Sequence, residues 1–180
     1  MSLNLPKRQR LREALFFASS LFWHTFSFGA LNSFYVPGFL INHNLLKQFP
    51  VSKKWLIFEI TFTNPQLEFK KVGQELLLNC DFIFQAISDQ SIQGNMKLAS
   101  SYTYDPKTSQ LFIQNARIET FNFEGLHPKA EQLIEQMSPL IGSFFNGKQV
   151  YQLSQSDLKT LKKPPSSIVV EDDGIRFYFN

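Results

Sequence analysis

One cysteine in 180 residues, Cys80, is too few for an intramolecular disulfide or a thiolate-rich metal site. The three histidines, His24, His43 and His127, share no metal-ligand spacing. The chain has no GxSxG, no P-loop and no dinucleotide fingerprint. It also has no internal repeat, low-complexity tract or linker that would divide it. A basic stripe is missing too. The net charge of +3 comes from Lys7, Arg8, Arg10 and Arg12 against Glu13; with these set aside, 14 Lys and Arg face 14 Asp and Glu from Leu31 onward. A formally neutral body cannot neutralise a run of phosphates, so no nucleic-acid partner is expected. Glu59 and Asp81 fall on outward strand positions, where carboxylates are normally solvated rather than paired for catalysis. These absences argue against an enzyme, and no metal or cofactor is expected.

What is present is apolar and aromatic. Hydrophobic residues make up 43% of the chain, enough for one domain with a sizeable core, and 15 of the 20 Phe lie after residue 30. Residues 7–13 are basic and the next 18, ALFFASSLFWHTFSFGAL, carry no Asp, Glu, Lys or Arg. A positive flank ahead of an apolar run is the pattern of a secretory signal or signal anchor; the competing reading is an amphipathic first helix. Residues 1–30 are therefore expected to be a leader and 31–180 a single domain. Uncleaved, the leader would make a membrane contact through residues 14–31.

The body alternates. Leu56, Phe58, Ile60 and Phe62 oppose Glu59, Thr61 and Thr63, and Leu76, Leu78, Cys80, Phe82 and Phe84 oppose Asn79, Asp81 and Gln85. Ile92 to Tyr104 and Leu111 to about Phe123 add two more strands of an antiparallel sheet with one wet face. In the last of them Leu111 and Ile113 disagree in parity with Ala116 and Ile118, so a bulge is expected. The parity of Cys80 makes it a small buried hydrophobe, not a reactive thiol or a lipid-anchor site. Residues 39–48 read as a short helix, a second short helix lies near 156–163, and Ile168–Glu171 with Ile175–Phe179 flank an Asp-Asp-Gly turn as a hairpin.

Leu133, Ile134, Met137, Leu140, Ile141, Phe144 and Phe145 repeat with helical period, predicting an amphipathic helix from Pro128 to Phe145 with Pro139 opposite the apolar stripe. Arriving after four strands, this helix is expected to be covered by the sheet. The expected fold class is α+β, a curved antiparallel sheet wrapped around a long helix of the C-terminal half.

The segments FLINHNLLKQFPVSKKW, QGNMKLASSYTYDPKTSQLFIQNARIETFNF and HPKAEQLIEQMSPLIGSFFNGKQVYQL, with the closing hairpin, resemble the YceB-like family of envelope lipoproteins across residues 39–179. Members of that family are similar to the tubular lipid-binding (TULIP) superfamily, which implies an apolar groove between sheet and helix. The resemblance implies a periplasmic protein, soluble or tethered by its leader, that binds an acyl chain or similar apolar ligand. The groove residues it implies are Phe58, Phe62, Phe82, Phe84, Met96, Leu98, Leu133, Met137, Leu140, Ile141 and Phe144. The alternative is an envelope scaffold with a solid core. One departure stands out: Ala30 occupies the place where a lipobox cysteine would be expected, so thioether lipidation there is impossible.

Overall fold

A computed structural model of the chain describes residues 32–56, 58–86, 91–124, 130–161 and 164–179, and of residues 86, 130–135, 160 and 161 the backbone alone. The leader, residues 1–30, lies outside the described residues. In chain order the elements are β1 (Ser33–Pro37), α1 (Gly38–Leu46), β2 (Val51–Trp55), β3 (Phe58–Lys70), β4 (Glu75–Ala86), β5 (Ser91–Asp105), β6 (Gln110–Phe123), α2 (Ala130–Phe145), β7 (Gln149–Gln152), α3 (Gln155–Leu161), β8 (Ser167–Glu171) and β9 (Gly174–Tyr178). Strands β2 to β7 form one antiparallel sheet in sequence order, and β1, β9 and β8 a smaller one in that order.

The alternation expected for β3 to β6 places one apolar row inward on each strand, except that Leu56, expected at the head of the first row, lies in the turn between β2 and β3 and is exposed. Ile60, Phe62, Leu76, Leu78, Phe82, Met96, Leu98, Leu111 and Ile113 are buried, and so is Cys80. Burial pushes the Cys80 thiol up to about 12, so it stays protonated and apolar in character. The opposite face is wet. There Glu68 accepts hydrogen bonds from Asn79 at 2.8 Å and Lys97 at 3.1 Å.

Bulges curl the sheet. The β3–β4 register shifts between Thr63 and Gln66, where Asn64 takes a positive φ and Pro65 needs no ladder partner. The β5–β6 register shifts twice, and Asn115 adopts a φ of 51° in β6, in the segment where the parity conflict called for a bulge.

Amide side chains fasten the remaining pieces. Asn42 of α1 donates to the Leu67 carbonyl at 3.0 Å and accepts from the Leu67 N–H at 2.6 Å, closing a backbone-like pair just past the β3 bulge. Gln74 does the same for Val170 of β8, at 3.0 and 2.9 Å, and also accepts from the Tyr102 hydroxyl at 2.9 Å. Each clip satisfies backbone groups that a sheet edge would otherwise leave open.

The expected α+β wrap is not what forms. The protein is mainly β, its larger sheet curls into a half-barrel, and its helices are short. Helix α2 does run through the expected segment, but with 16 residues it spans about 24 Å and is no long central axis. Its closest backbone approach is to β6. The reason is local. A Cβ on Gly142 would meet the Ala116 carbonyl oxygen at 2.6 Å, so only glycine lets the helix approach β6 this closely. After the helix ends, Asn146 accepts from the Ala116 N–H at 2.8 Å and Gly147 donates to the Ile113 carbonyl at 2.9 Å. These bonds tether the helix end to one strand. No helix of the described residues is long and apolar enough to cross a membrane.

Candidate functional site

The eleven residues expected to line a groove fall into three groups. Phe62, Phe82, Phe84, Met96, Leu98, Met137 and Ile141 are buried in the core, with Met137 4% and Ile141 0% exposed. Phe58 and Phe144 are half-buried and pack against it. Leu140 departs from the expected stripe: it is 40% exposed, because it follows Pro139 on the solvent side of α2. The side chain of Leu133 lies outside those described. Phe144 and Phe145 pack on Phe62, with ring centroids 5.6 and 5.0 Å apart, so the helix end is anchored across the sheet by aromatic contact.

Open space is found elsewhere, at the mouth where α1, the start of β2, β7 and the end of α2 converge. Two recesses adjoin there. The inner one, about 70 Å³, has an apolar floor of Leu45, Phe49, Val51, Leu78, Ile113 and Phe145 and a polar rim of Gln48, Lys148 and Gln149. The outer cleft, about 530 Å³, is rich in amides: Asn44, Gln48, Gln149, Gln152 and Gln155, with Leu40, Tyr151 and Asp157. Gln48 and Gln149 belong to both, so they form the shared wall.

Each wall has a structural cause. Residues Asn146 and Gly147, the latter at φ 77°, end α2 and turn the chain into β7, which brings Lys148 and Gln149 to the rim. Lys148 holds its ammonium 4.6 Å from the centroid of the Phe144 ring, a cation–π contact that keeps the charge at the edge of the apolar floor. Gln149 accepts from the Gln110 amide at 2.8 Å, which orients it while leaving its own NH₂ to donate. On the far side, Ser154 and Asp157 cap α3 reciprocally: each accepts from the other's backbone N–H at 3.1 Å. The Tyr151 hydroxyl is pushed up from its ordinary value by burial, with Asp157 adding to the effect, and so remains a neutral donor. The cleft is thus a field of amide and hydroxyl donors and acceptors with one carboxylate, Asp157, on its far side and one cation, Lys148, at the apolar doorway. Among the described residues no group of three or more His, Cys, Asp or Glu side chains could hold a metal ion.

None of the ten expected residues whose side chains are described lines either recess. The lining escaped the sequence reading because it is assembled mainly from residues 40–51 and 145–157, about a hundred positions apart, with Leu78 and Ile113 added from the sheet. The one available signal was the clustering of amides before Pro50, at Asn42, Asn44 and Gln48, and after Gly147, at Gln149, Gln152 and Gln155.

Fold and site together define a mainly β half-barrel with a two-part recess, apolar within and amide-lined without. The chain belongs to a family described as protein of unknown function (DUF1439), whose profile matches residues 40–173. The match takes in both sides of the mouth and the whole larger sheet. A comparison with curated proteins finds no match for this chain.

Proposed function

We propose that this protein is a non-catalytic envelope protein that binds an amphiphile, with the polar group in the amide cleft and the start of an acyl chain in the apolar recess. The observation that carries the reading is the shared wall of Gln48 and Gln149 with Lys148 at the rim, which places apolar floor, hydrogen-bonding field and one cation in contact. The outer cleft is of ordinary ligand-site size, whereas 70 Å³ is well under the roughly 300 Å³ of the smallest typical site. A long tail must therefore part α2 from the sheet, and tail burial and packing compete. About ten methylenes at about 0.8 kcal/mol each contribute about 8 kcal/mol, of which association removes at least about 4. Headgroup contacts then decide whether binding passes the millimolar range. The envelope setting draws its support from the basic-then-apolar leader and from the likeness to YceB-like lipoproteins, with Ala30 leaving an uncleaved leader as the tether.

A second reading has its own observation. The burial of Met137 and Ile141 at the centre of the inner face favours a solid-core scaffold or interaction module that takes no ligand. Native mass spectrometry of gently purified full-length protein separates the two. A co-purifying amphiphile, exchangeable for added fatty acid, is the expected result. Bare protein, with no uptake of fatty acids across a chain-length series, would establish the scaffold.

A further inference from the structure

The hairpin of β2 and β3 closes where Trp55 pairs with Phe58, and Leu56 follows Trp55 in the turn. Ile57 lies outside the described residues. Leu56 is 97% exposed, more than any other large hydrophobic residue described, ahead of Val72 at 82% and Phe39 at 70%. It is carried on a firm base: the Trp55 and Phe58 rings are 4.9 Å apart and the Phe58 and Phe84 rings 5.2 Å. Lys53 and Lys54 lie just before Trp55, both exposed. Elsewhere among the described residues Lys70, Lys97, Arg117 and Arg176 sit in ion pairs with carboxylates, while Lys47, Lys71, Lys107, Lys148 and Lys159 do not. Neither tip lysine is paired with a described carboxylate, and the one acid opposite them in the ladder is Glu59, facing Lys54.

A protruding leucine on an aromatic base, collared by two free lysines, has the chemistry of an interfacial anchor: the apolar point enters the acyl boundary, the indole sits at headgroup level and the ammonium groups meet lipid phosphates. We propose that Leu56, with Trp55, Lys53 and Lys54 behind it, docks this protein onto a bilayer surface rich in anionic lipid. Charge complementarity selects that occupant over a neutral apolar one, because an apolar protein partner would leave both lysines desolvated without a counter-charge. The proposal is independent of the amphiphile reading, although β2 does connect the two places: it starts at Val51 on the floor of the recess and ends at the tip.

The test must distinguish the tip from the leader, so it reads the tip locally in the full chain. Leu56→Cys introduces a label site, and the buried Cys80, the only other cysteine, does not compete for reagent. An environment-sensitive dye at position 56 is titrated with vesicles of phosphatidylcholine alone or with one-third phosphatidylglycerol. The expected result is a blue shift, with quenching by brominated acyl chains, on the anionic vesicles. Replacing Lys53 and Lys54 by Gln should weaken this local signal about fivefold each and about 25-fold together. A dye that stays in water while the protein sediments with vesicles would overturn the proposal and leave attachment to the leader. An equal signal on neutral vesicles, or one unchanged in the double Gln variant, would overturn it too.

Discussion

The centre of the concave face and its mouth are built from the same kinds of residue and end up as opposites. At the centre, Phe82, Met96 and Leu98 of the sheet share one buried cluster with Met137 and Ile141 of α2. At the mouth, Leu45, Phe49, Val51, Leu78, Ile113 and Phe145 are no less apolar, yet a recess remains among them. The difference is geometric. Over the centre a helix lies against a strand at the distance Gly142 allows, and side chains interdigitate. At the mouth the helix has already ended, α1 arrives from another direction, and β7 is only four residues long. Three elements meeting at their ends cannot fill the space that two elements meeting along their lengths can. Apolar composition therefore marks a surface as burying, and only packing decides whether it becomes core or recess.

The comparison is broken most directly at Ile141. Truncation to Ala should cost about 2–5 kcal/mol in chemical denaturation, and Met137→Ala a similar amount, because both remove atoms from a filled region. A loss under about 1 kcal/mol for both would show that the centre is as open as the mouth. Gly142→Ala tests why the centre is filled. Its Cβ would press on the Ala116 carbonyl, so the helix must retreat, at a cost of about 1–3 kcal/mol. If the variant is as stable as the parent, the close approach is not what seats α2.

At the mouth the sensitive quantity is binding, not stability. Lys148→Glu should weaken a fluorescent fatty acid about tenfold or more through loss of a charge-assisted contact, with Lys148→Arg retaining it. Stability should stay within about 0.5 kcal/mol, since the residue is at the rim. Unchanged affinity in Lys148→Glu would remove the doorway from the site.

The smallest effect belongs to the wet face, which serves as the control for both regions. The Arg117 guanidinium, 2.6 Å away, holds the Glu75 carboxyl below its ordinary 4.5, with Lys70 assisting. A carboxyl depressed in the folded state contributes stability that is present above 4.5 and fades as pH falls through the lower folded value. NMR titration should place Glu75 below the ordinary range and Arg117→Ala should return it upward, with little change in melting temperature at neutral pH because the pair is solvent-screened. A Glu75 that titrates at its ordinary value in the parent would dissolve this pair.

Strands β4, β5 and β6 were legible because each alternates over ten or more residues, and even the β6 bulge announced itself as a parity conflict. Strands β2 and β7 were not. Val-Ser-Lys-Lys-Trp and Gln-Val-Tyr-Gln are too short to carry a period, and they pair because neighbouring strands offer an edge. Leu140 fits the helical stripe by count but faces water, since a stripe of seven is wider than the strip of sheet that α2 covers. The recess residues left no pattern, because Gln48 and Gln149 become neighbours only through α1 and β7.

What this sequence determined by itself is the wet and dry faces of β4 and β5, the position of α2 and the burial of Cys80. These follow from periodicity and composition, which act within a few residues. Tertiary structure decided that the sheet curls into a half-barrel, that the centre fills and that the mouth stays open. Those outcomes depend on where one glycine lets a helix approach a strand and on how element ends meet across a hundred residues, distances over which no local pattern carries information.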